Sequence, residues 1–335
     1  MLTFWLSSQI SVMVTLTILS KLLTNVSSLE SLSLLSARNI SRTMCEAAEK
    51  KMFEKASQLA PPLTHELHKG QAGRIGVFGG SIEYTGAPYF SSISSLKVGA
   101  DLAYVFSKSE AAPIIKSFSP ELIVLPLLET SIEEIEPWLD RLHVVLIGPG
   151  LGRNNCTFNL IEQVIEACRN KKKPMVIDAD GLFLIALKPE ILVNYPAPVV
   201  LTPNVMEFNR LLGGCTDGTK LERSENYLKK LGPNIIILCK DREDEIITNG
   251  KIIKVTGGGS PRRCGGQGDL LGGSLATFLH WAVLKGEEPA VACYAAARLT
   301  RECNARAFTK HGRSMTTSDM IQEIHGVFED FYEQK

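Results

Sequence analysis

From Arg74 onward the chain repeats one pattern: a short apolar run, a turn rich in Gly, Pro or Asp, then a helical stretch. The apolar runs are Ile75–Phe78, Leu102–Phe106, Leu122–Leu125, Val144–Ile147, Met175–Ile177, Val199–Leu201 and Ile235–Leu238. They are too short for core helices and almost free of polar residues, which predicts parallel strands buried on both faces. Helices are predicted at Tyr89–Val98, Asn159–Arg169 and Glu207–Leu212, and in a C-terminal set at Asp269–Leu284, Pro289–Ala307 and Thr317–Glu333. Glu245–Thr248 and Lys251–Val255 flank Asn249-Gly250, the strongest short signal for a hairpin. With no internal repeat and no long linker, residues 44–335 are expected to form one doubly wound α/β domain.

Charge and cysteine usage remove several function classes. The 335 residues carry 36 Lys+Arg against 36 Asp+Glu, so nothing electrostatic favours a nucleic-acid or a polybasic membrane partner. With 44% hydrophobic and 21% charged residues, the composition is that of a globular, soluble intracellular protein. Cys45, Cys156, Cys168, Cys215, Cys239, Cys264, Cys293 and Cys303 form no C-x-x-C pair, which argues against a structural zinc site and a disulfide framework.

Residues 1–43 differ in kind. Ten Ser, five Thr, three basic residues and a single acid, Glu30, make the segment Ser-rich and acid-poor. Its apolar part is too diluted by polar residues for a membrane span, and it has no basic charge ahead of it as a secretory signal would. The expectation is a mitochondrial presequence, with Met44 starting a shorter cytosolic form.

In a parallel α/β sheet ligands bind outside the carboxyl ends of the strands. There the sequence places Gly79-Gly80-Ser81, Gly148–Arg153, Asp178-Ala179-Asp180-Gly181 and Thr202–Phe208 as loops. Neither the Rossmann fingerprint nor a P-loop occurs, and each loop alone is equally well ordinary turn chemistry. Arg262-Arg263-Cys264-Gly265-Gly266-Gln267-Gly268-Asp269 is more specific. Its glycines let successive N–H groups converge at the start of an apolar helix, an anion site that needs no lysine. Asp269 is either an N-cap carboxylate or a general base beside a phosphate cradle. A cap alone would not require three glycines. Asn204-x-x-Glu207 reads both as a capping box and as a pair that orders magnesium-bound water around a triphosphate. Lys240–Asp244 taken alone is a charged solvent loop.

Gly-Gly-x-Gly-Asp before a late helix, with Asn-x-x-Glu upstream, resembles the ribokinase-like superfamily. The whole core resembles its ATP-dependent NAD(P)H-hydrate dehydratase family, through His68–Gly73, Gly79–Ser81, Tyr84–Tyr89, Gly99–Leu102, Gly148–Arg153, Asp178–Leu182, Leu201–Phe208 and Arg263–Asp269. The resemblance implies a three-layer α/β/α fold around a mainly parallel sheet. It implies ATP-dependent dehydration of (S)-NADHX or NADPHX to NADH or NADPH, with magnesium, releasing ADP and phosphate. It makes Asp269 the base. It gives substrate contacts to Ala87, Gly150, Gly152, Asn204, Val205, Met206, Glu207, Phe208, Asn209, Arg210 and Asp269. It gives ATP contacts to Lys240, Asp241, Arg242, Glu243, Asp244, Gly259, Ser260, Pro261, Arg262, Arg263, Cys264, Gly265, Gly266, Gln267 and Gly268. Glu207 would reach the metal through water. Asp241 departs from the family's glycine and brings a negative charge toward an anionic ligand. An NAD(P)H-hydrate epimerase is the implied pathway partner, and a homo-oligomer is compatible with the pattern. The alternative is a ribokinase-like kinase that leaves a stable phosphate ester on a small alcohol such as a vitamin precursor.

Overall fold

The computed structural model describes residues 47–214 and 217–333. The presequence assigned to residues 1–43 lies outside the described residues. The chain divides into Met1–Lys50, of which only the helical residues 47–50 are described, and Lys51–Lys335.

Nine strands form one sheet in the order β3-β2-β1-β4-β5-β6-β7-β8-β9. The seven parallel strands are β1 (Arg74–Phe78), β2 (Leu102–Phe106), β3 (Ile123–Leu125), β4 (Val144–Ile147), β5 (Met175–Ile177), β6 (Val199–Leu201) and β7 (Ile235–Cys239). The hairpin β8 (Asp244–Thr248) and β9 (Lys251–Val255) completes the sheet antiparallel. Every residue of β4, β5, β6 and β7 is buried, because helices cover both faces, as the near-continuous apolar runs require.

On one face lie α1 (residues 51–56), α2 (Gly86–Val98), α9 (Gln267–Lys285), α10 (Pro289–His311), α11 (Thr317–Gln322) and α12 (Ile324–Phe331). On the other lie α4 (Ile132–Leu139), α5 (Asn155–Asn170), α6 (Ala179–Leu187), α7 (Val205–Leu211) and α8 (Lys220–Leu231), while α3 (Ala112–Phe118) packs on the α2 side against Ala103, Val105 and Val124 of β2 and β3. Helix α2 buries Ser91, Ser92, Ser94 and Ser95 because α9 approaches it at backbone distance. A Cβ on Gly273 would lie 1.9 Å from the Ser91 carbonyl oxygen. Small residues on both helices allow this approach, which places the start of α9 over the sheet.

The sheet order reverses between β1 and β4, and the loops after these two strands meet there. Gly80 N donates to the carbonyls of Pro149 and Gly150 at 3.1 and 3.0 Å. This is the switch point at which doubly wound sheets open a crevice.

Three local expectations are corrected. Asp178–Gly181 is no loop: Asp178 precedes the helix and Ala179–Gly181 form the first turn of α6. Thr317–Glu333 is not one helix, since it breaks at Glu323, whose carboxylate is held by Lys310 Nζ at 2.7 and 2.9 Å. Asp269 is no N-cap; Gly266 takes that position, and Asp269 stands three residues inside α9. Helices α1, α3, α4, α6 and α8 have no counterpart in the sequence reading. All are short, and α4 and α8 are amphipathic surface helices whose polar faces dilute the signal. Among the described residues no helix is long and apolar enough to cross a membrane.

Candidate functional site

Two cavities adjoin at the carboxyl ends of the strands, and Ala179 and Asp269 line both. The larger, about 1180 Å³, spreads over the ends of β5, β6 and β7 toward the start of α9. The smaller, about 610 Å³, lies at the switch point between the loops after β1 and β4.

The sequence stretch Asp178-Ala179-Asp180-Gly181 organises the wall between them. Asp178 lines the larger cavity, and its carboxylate, 3% exposed, accepts a hydrogen bond from Lys240 Nζ at 2.6 Å. Asp180 lines the smaller one, accepting from Gly152 N at 3.0 Å and pairing with Arg153 Nε at 2.7 Å. Ala179 sits between the acids at φ 46, in the left-handed region that L side chains rarely adopt. Gly148 makes room for this turn: a Cβ there would lie 1.8 Å from the Asp178 carbonyl oxygen.

Lys240 follows β7 and its N–H donates to Pro203 O at 2.8 Å, which ties the ends of β6 and β7 together. Burial disfavours its ammonium, but Asp178, Glu207 and Asp269 outweigh burial and hold its pKa above the ordinary lysine value. Glu207 lies on α7 behind a complete capping box. Asn204 Oδ1 accepts from Met206 N and Glu207 N at 2.9 Å each, and Glu207 Oε2 accepts from Asn204 N at 2.8 Å. Burial raises the Glu207 pKa against the pull of Lys240.

Asp269 is the exceptional group. Burial, with Asp178 beside it, pushes its carboxyl up to about 8, against Lys240. Among the described residues no hydrogen bond fixes its carboxylate. It stands at the start of a 19-residue helix whose first N–H groups and dipole favour an anion. Gly266, at φ 92, has no space for a side chain: a Cβ would meet Phe90 at 2.8 Å and Thr317 Oγ1 at 2.9 Å. An acid with raised proton affinity beside an anion cradle can take a proton from a hydroxyl while the cradle receives negative charge.

The structure distributes the sequence-derived residues as follows. Ala87, Gly150 and Gly152 line the smaller cavity with Asp269. Asn204, Val205, Met206 and Glu207 line the larger one, apart from the other residues read as substrate contacts. Phe208 is a core residue at 3% exposure, Asn209 is exposed, and Arg210 lies with its Cζ 5.3 Å from the centroid of the Phe183 ring, outside both cavities. Lys240, Asp241, Arg242, Asp244, Gly259, Ser260, Pro261, Arg263, Cys264, Gly266, Gln267 and Gly268 line the larger cavity. Glu243 instead pairs with Lys254 on the hairpin at 3.2 Å. Arg262 and Gly265 shape the loop from behind, their carbonyls accepting from Gln267 Nε2 and Thr317 Oγ1. Asp178 and Asp180 were legible as acids following a buried strand, but nothing local gave them a role. Thr300, Arg301 and Asn304 of α10 also line the larger cavity, and no motif marks them.

A nine-stranded, mainly parallel sheet with joined cavities over its carboxyl edge is a ribokinase-like architecture. A ribokinase-like superfamily protein from Enterococcus faecalis is similar at a TM-score of 0.70 and 23% identity, covering 82% of this chain and 93% of that one. An ADP/ATP-dependent NAD(P)H-hydrate dehydratase from Bacillus subtilis, co-crystallised with ATP/Mg2+, is similar at a TM-score of 0.65 and 21% identity, covering 83% and 97%. Residues 75–325 match the NAD(P)H-hydrate dehydratase family. An ATP-dependent (S)-NAD(P)H-hydrate dehydratase from Aedes aegypti is 50% identical over 305 residues, 88% of this chain and 90% of the relative. The chain belongs to the NAD(P)H-hydrate dehydratase family.

Proposed function

We propose that this protein restores hydrated nicotinamide cofactors, dehydrating (S)-NADHX or NADPHX to NADH or NADPH at the expense of ATP. The observation that carries the reading is Asp269, a half-buried acid with raised proton affinity on the wall shared by two cavities. ATP occupies the larger cavity and the hydrated ring the smaller, so that the C6 hydroxyl and the γ-phosphate meet at Asp269.

Asp269 accepts the hydroxyl proton as the oxygen attacks the γ-phosphorus of ATP and the bond from that phosphorus to ADP breaks, releasing ADP. The N–H groups at the start of α9 take up the charge on the transferring phosphoryl group. The C6–O bond then breaks with its electrons leaving on phosphate, the ring nitrogen supplies its lone pair, and loss of the C5 proton forms the C5=C6 bond. A kinase would stop at the phosphate ester. The 50% identity to a dehydratase supports the full sequence.

Magnesium fits this site as an ion carried in with ATP. No group of three or more His, Cys, Asp or Glu residues suited to a metal occurs among the described residues, and magnesium bound to a triphosphate needs only one or two carboxylates beside phosphate oxygens and water. Glu207, on the larger cavity, spends one carboxylate oxygen on Asn204 N and has the other for such a water. The ion supplies charge neutralisation at the phosphates.

Residues 1–43 direct the protein to mitochondria, and a form starting at Met44 stays cytosolic. Composition supports this reading, and the form from Met44 should fold and turn over at the full-length rate. Action on one C6 epimer makes an NAD(P)H-hydrate epimerase the supplying partner. The deciding experiment is incubation of the purified protein with hydrated NADH and ATP–Mg. Recovery of reduced-nicotinamide absorbance with equimolar free phosphate is expected, and a stable phosphorylated product would replace the dehydratase by a kinase.

A further inference from the structure

Asp178 and Asp269 share one cation, and the sharing is unequal. Lys240 Nζ lies 2.6 Å from Asp178 Oδ1, while its charge acts on Asp269 without a hydrogen bond. Packing decides which acid holds it. Asp178 is 2% exposed and its Oδ2 lies along the glycine face of α9, where a Cβ at Gly268 or Gly272 would come within 3.6 or 3.8 Å. A Cβ at Gly268 would also lie 3.3 Å from Lys240 Nζ. The ammonium therefore occupies the space beside the first turn of α9 that a side chain at 268 would enter. The left-handed turn at Ala179 fixes the chain that carries Asp178 into this position.

We propose that Asp178 is a positioning residue of the reaction: it pins the Lys240 ammonium beside the first turn of α9 and leaves the Asp269 carboxylate free to take the hydroxyl proton. The inference rests on the reaction proposed above. Without the Asp178 charge, the acids left to Lys240 are Asp269 and Glu207. Pairing with Asp269 would hold that carboxylate in its charged form and weaken it as a base. The charged groups around Asp269 are Asp178 at the β5–α6 junction, Lys240 after β7 and, acting on Lys240, Glu207 of α7. Across the larger cavity stand Asp241, Arg242, Asp244, Arg263 and Arg301, and across the smaller Glu83, Arg153 and Asp180. Of these, Asp178 raises the proton affinity of Asp269 and Lys240 lowers it, so losing Asp178 acts in one direction through both routes.

The test is the pH dependence of kcat/KM with hydrated NADH. In the unaltered protein the rate should rise with pH as Asp269 loses its proton, with a midpoint near 8. Asp178→Asn should move that limb to lower pH by about one unit or more, a tenfold change in proton affinity, and lower the plateau about tenfold. Asp178→Glu should return both toward the starting values. A limb that stays in place while the rate falls overturns the proposal, because a merely structural role alters the amount of active protein and not its titration. If Asp178→Asn does not fold, the unaltered protein decides. The carboxyl carbon of Asp269, assigned by loss of its signal in Asp269→Asn, should titrate at about 7 or above by NMR. A lower midpoint means that Lys240 already pairs with Asp269 and overturns the proposal. Absence of ATP-dependent repair in the unaltered protein would instead remove the proposed reaction, and the NMR titration would still report which acid holds Lys240.

Discussion

The two ends of the parallel sheet use polar residues in opposite ways. At the amino end, polar groups pair with one another. Asp101 accepts from Gly70 N and Ala72 N at 2.7 and 2.9 Å, Trp281 Nε1 donates to Ala72 O at 2.7 Å, and Tyr195 Oη donates to Lys173 O at 2.8 Å. His143 and His280 stack at 4.3 Å, and burial lowers both pKa values, that of His143 to about 4, which disfavours the imidazolium form of each. At the carboxyl end one acid, Asp269, is half-buried without a hydrogen-bonded partner among the described residues, in a wall shared by two cavities. Buried polar groups are normally satisfied. At the amino end the named acid, indole and phenol follow that rule, with His143 Nδ1 the unpartnered atom beside them, whereas at the carboxyl end it is an ionisable carboxyl that lacks a partner, where chemistry is proposed.

The contrast breaks most sharply at Asp269. Asp269→Asn should lower kcat by about 10²–10⁴-fold, the usual cost of a lost general base, without lowering the thermal midpoint. An acid whose folded pKa is raised holds its proton when the unfolded chain has released it, so its contribution to stability falls as pH rises from about 4 to about 8. The amide removes that loss, and the variant should gain stability relative to the unaltered protein across this range. A variant that is both slow and less stable at pH 8 would make Asp269 structural, like the residues at the other end.

Asp101→Ala is the matching change at the amino end. It removes the acceptor of two charge-assisted backbone hydrogen bonds and should cost about 2–4 kcal/mol in chemical denaturation. The kcat of the folded fraction should stay unchanged, and a rate loss beyond that fraction would mean that the two ends communicate.

A smaller effect is expected at Asp241, an exposed residue on the larger cavity whose N–H donates to Asp244 Oδ1 at 3.1 Å. Asp241→Gly should tighten ATP binding roughly three- to tenfold by removing a like charge, and more strongly at low salt. Titrations at two ionic strengths that leave the affinity unchanged would take this loop out of the nucleotide site.

The smallest signal belongs to the histidine pair. Depressed histidine pKa values mean that the unfolded chain binds the extra protons, so stability should fall as pH drops from about 6.5 toward 4. Replacing His143 with Phe should flatten that slope in acid unfolding curves. An unchanged slope would assign acid lability to other groups.

Much of this was legible because buried parallel strands leave a nearly unbroken apolar signature. Each of the seven parallel strands was foreseen to within a residue or two, and the Asn-Gly hairpin followed from turn chemistry. Gly265–Gly268 with Asp269 stood out because three glycines in four positions serve little purpose except close approach to a backbone or ligand. The sequence alone determined the strand order of events along the chain, the position of the glycine cradle and the candidate base, all of which depend on neighbours in the chain. Only the tertiary structure decided that Asp178 holds Lys240, 62 residues away, that Asp180 serves the other cavity, and that Thr300, Arg301 and Asn304 complete the larger one. It also decided that Phe208 is core. These facts depend on the spatial order of the strands and on where α9 and α10 cross the sheet, and side chains brought together by packing leave no local pattern to read.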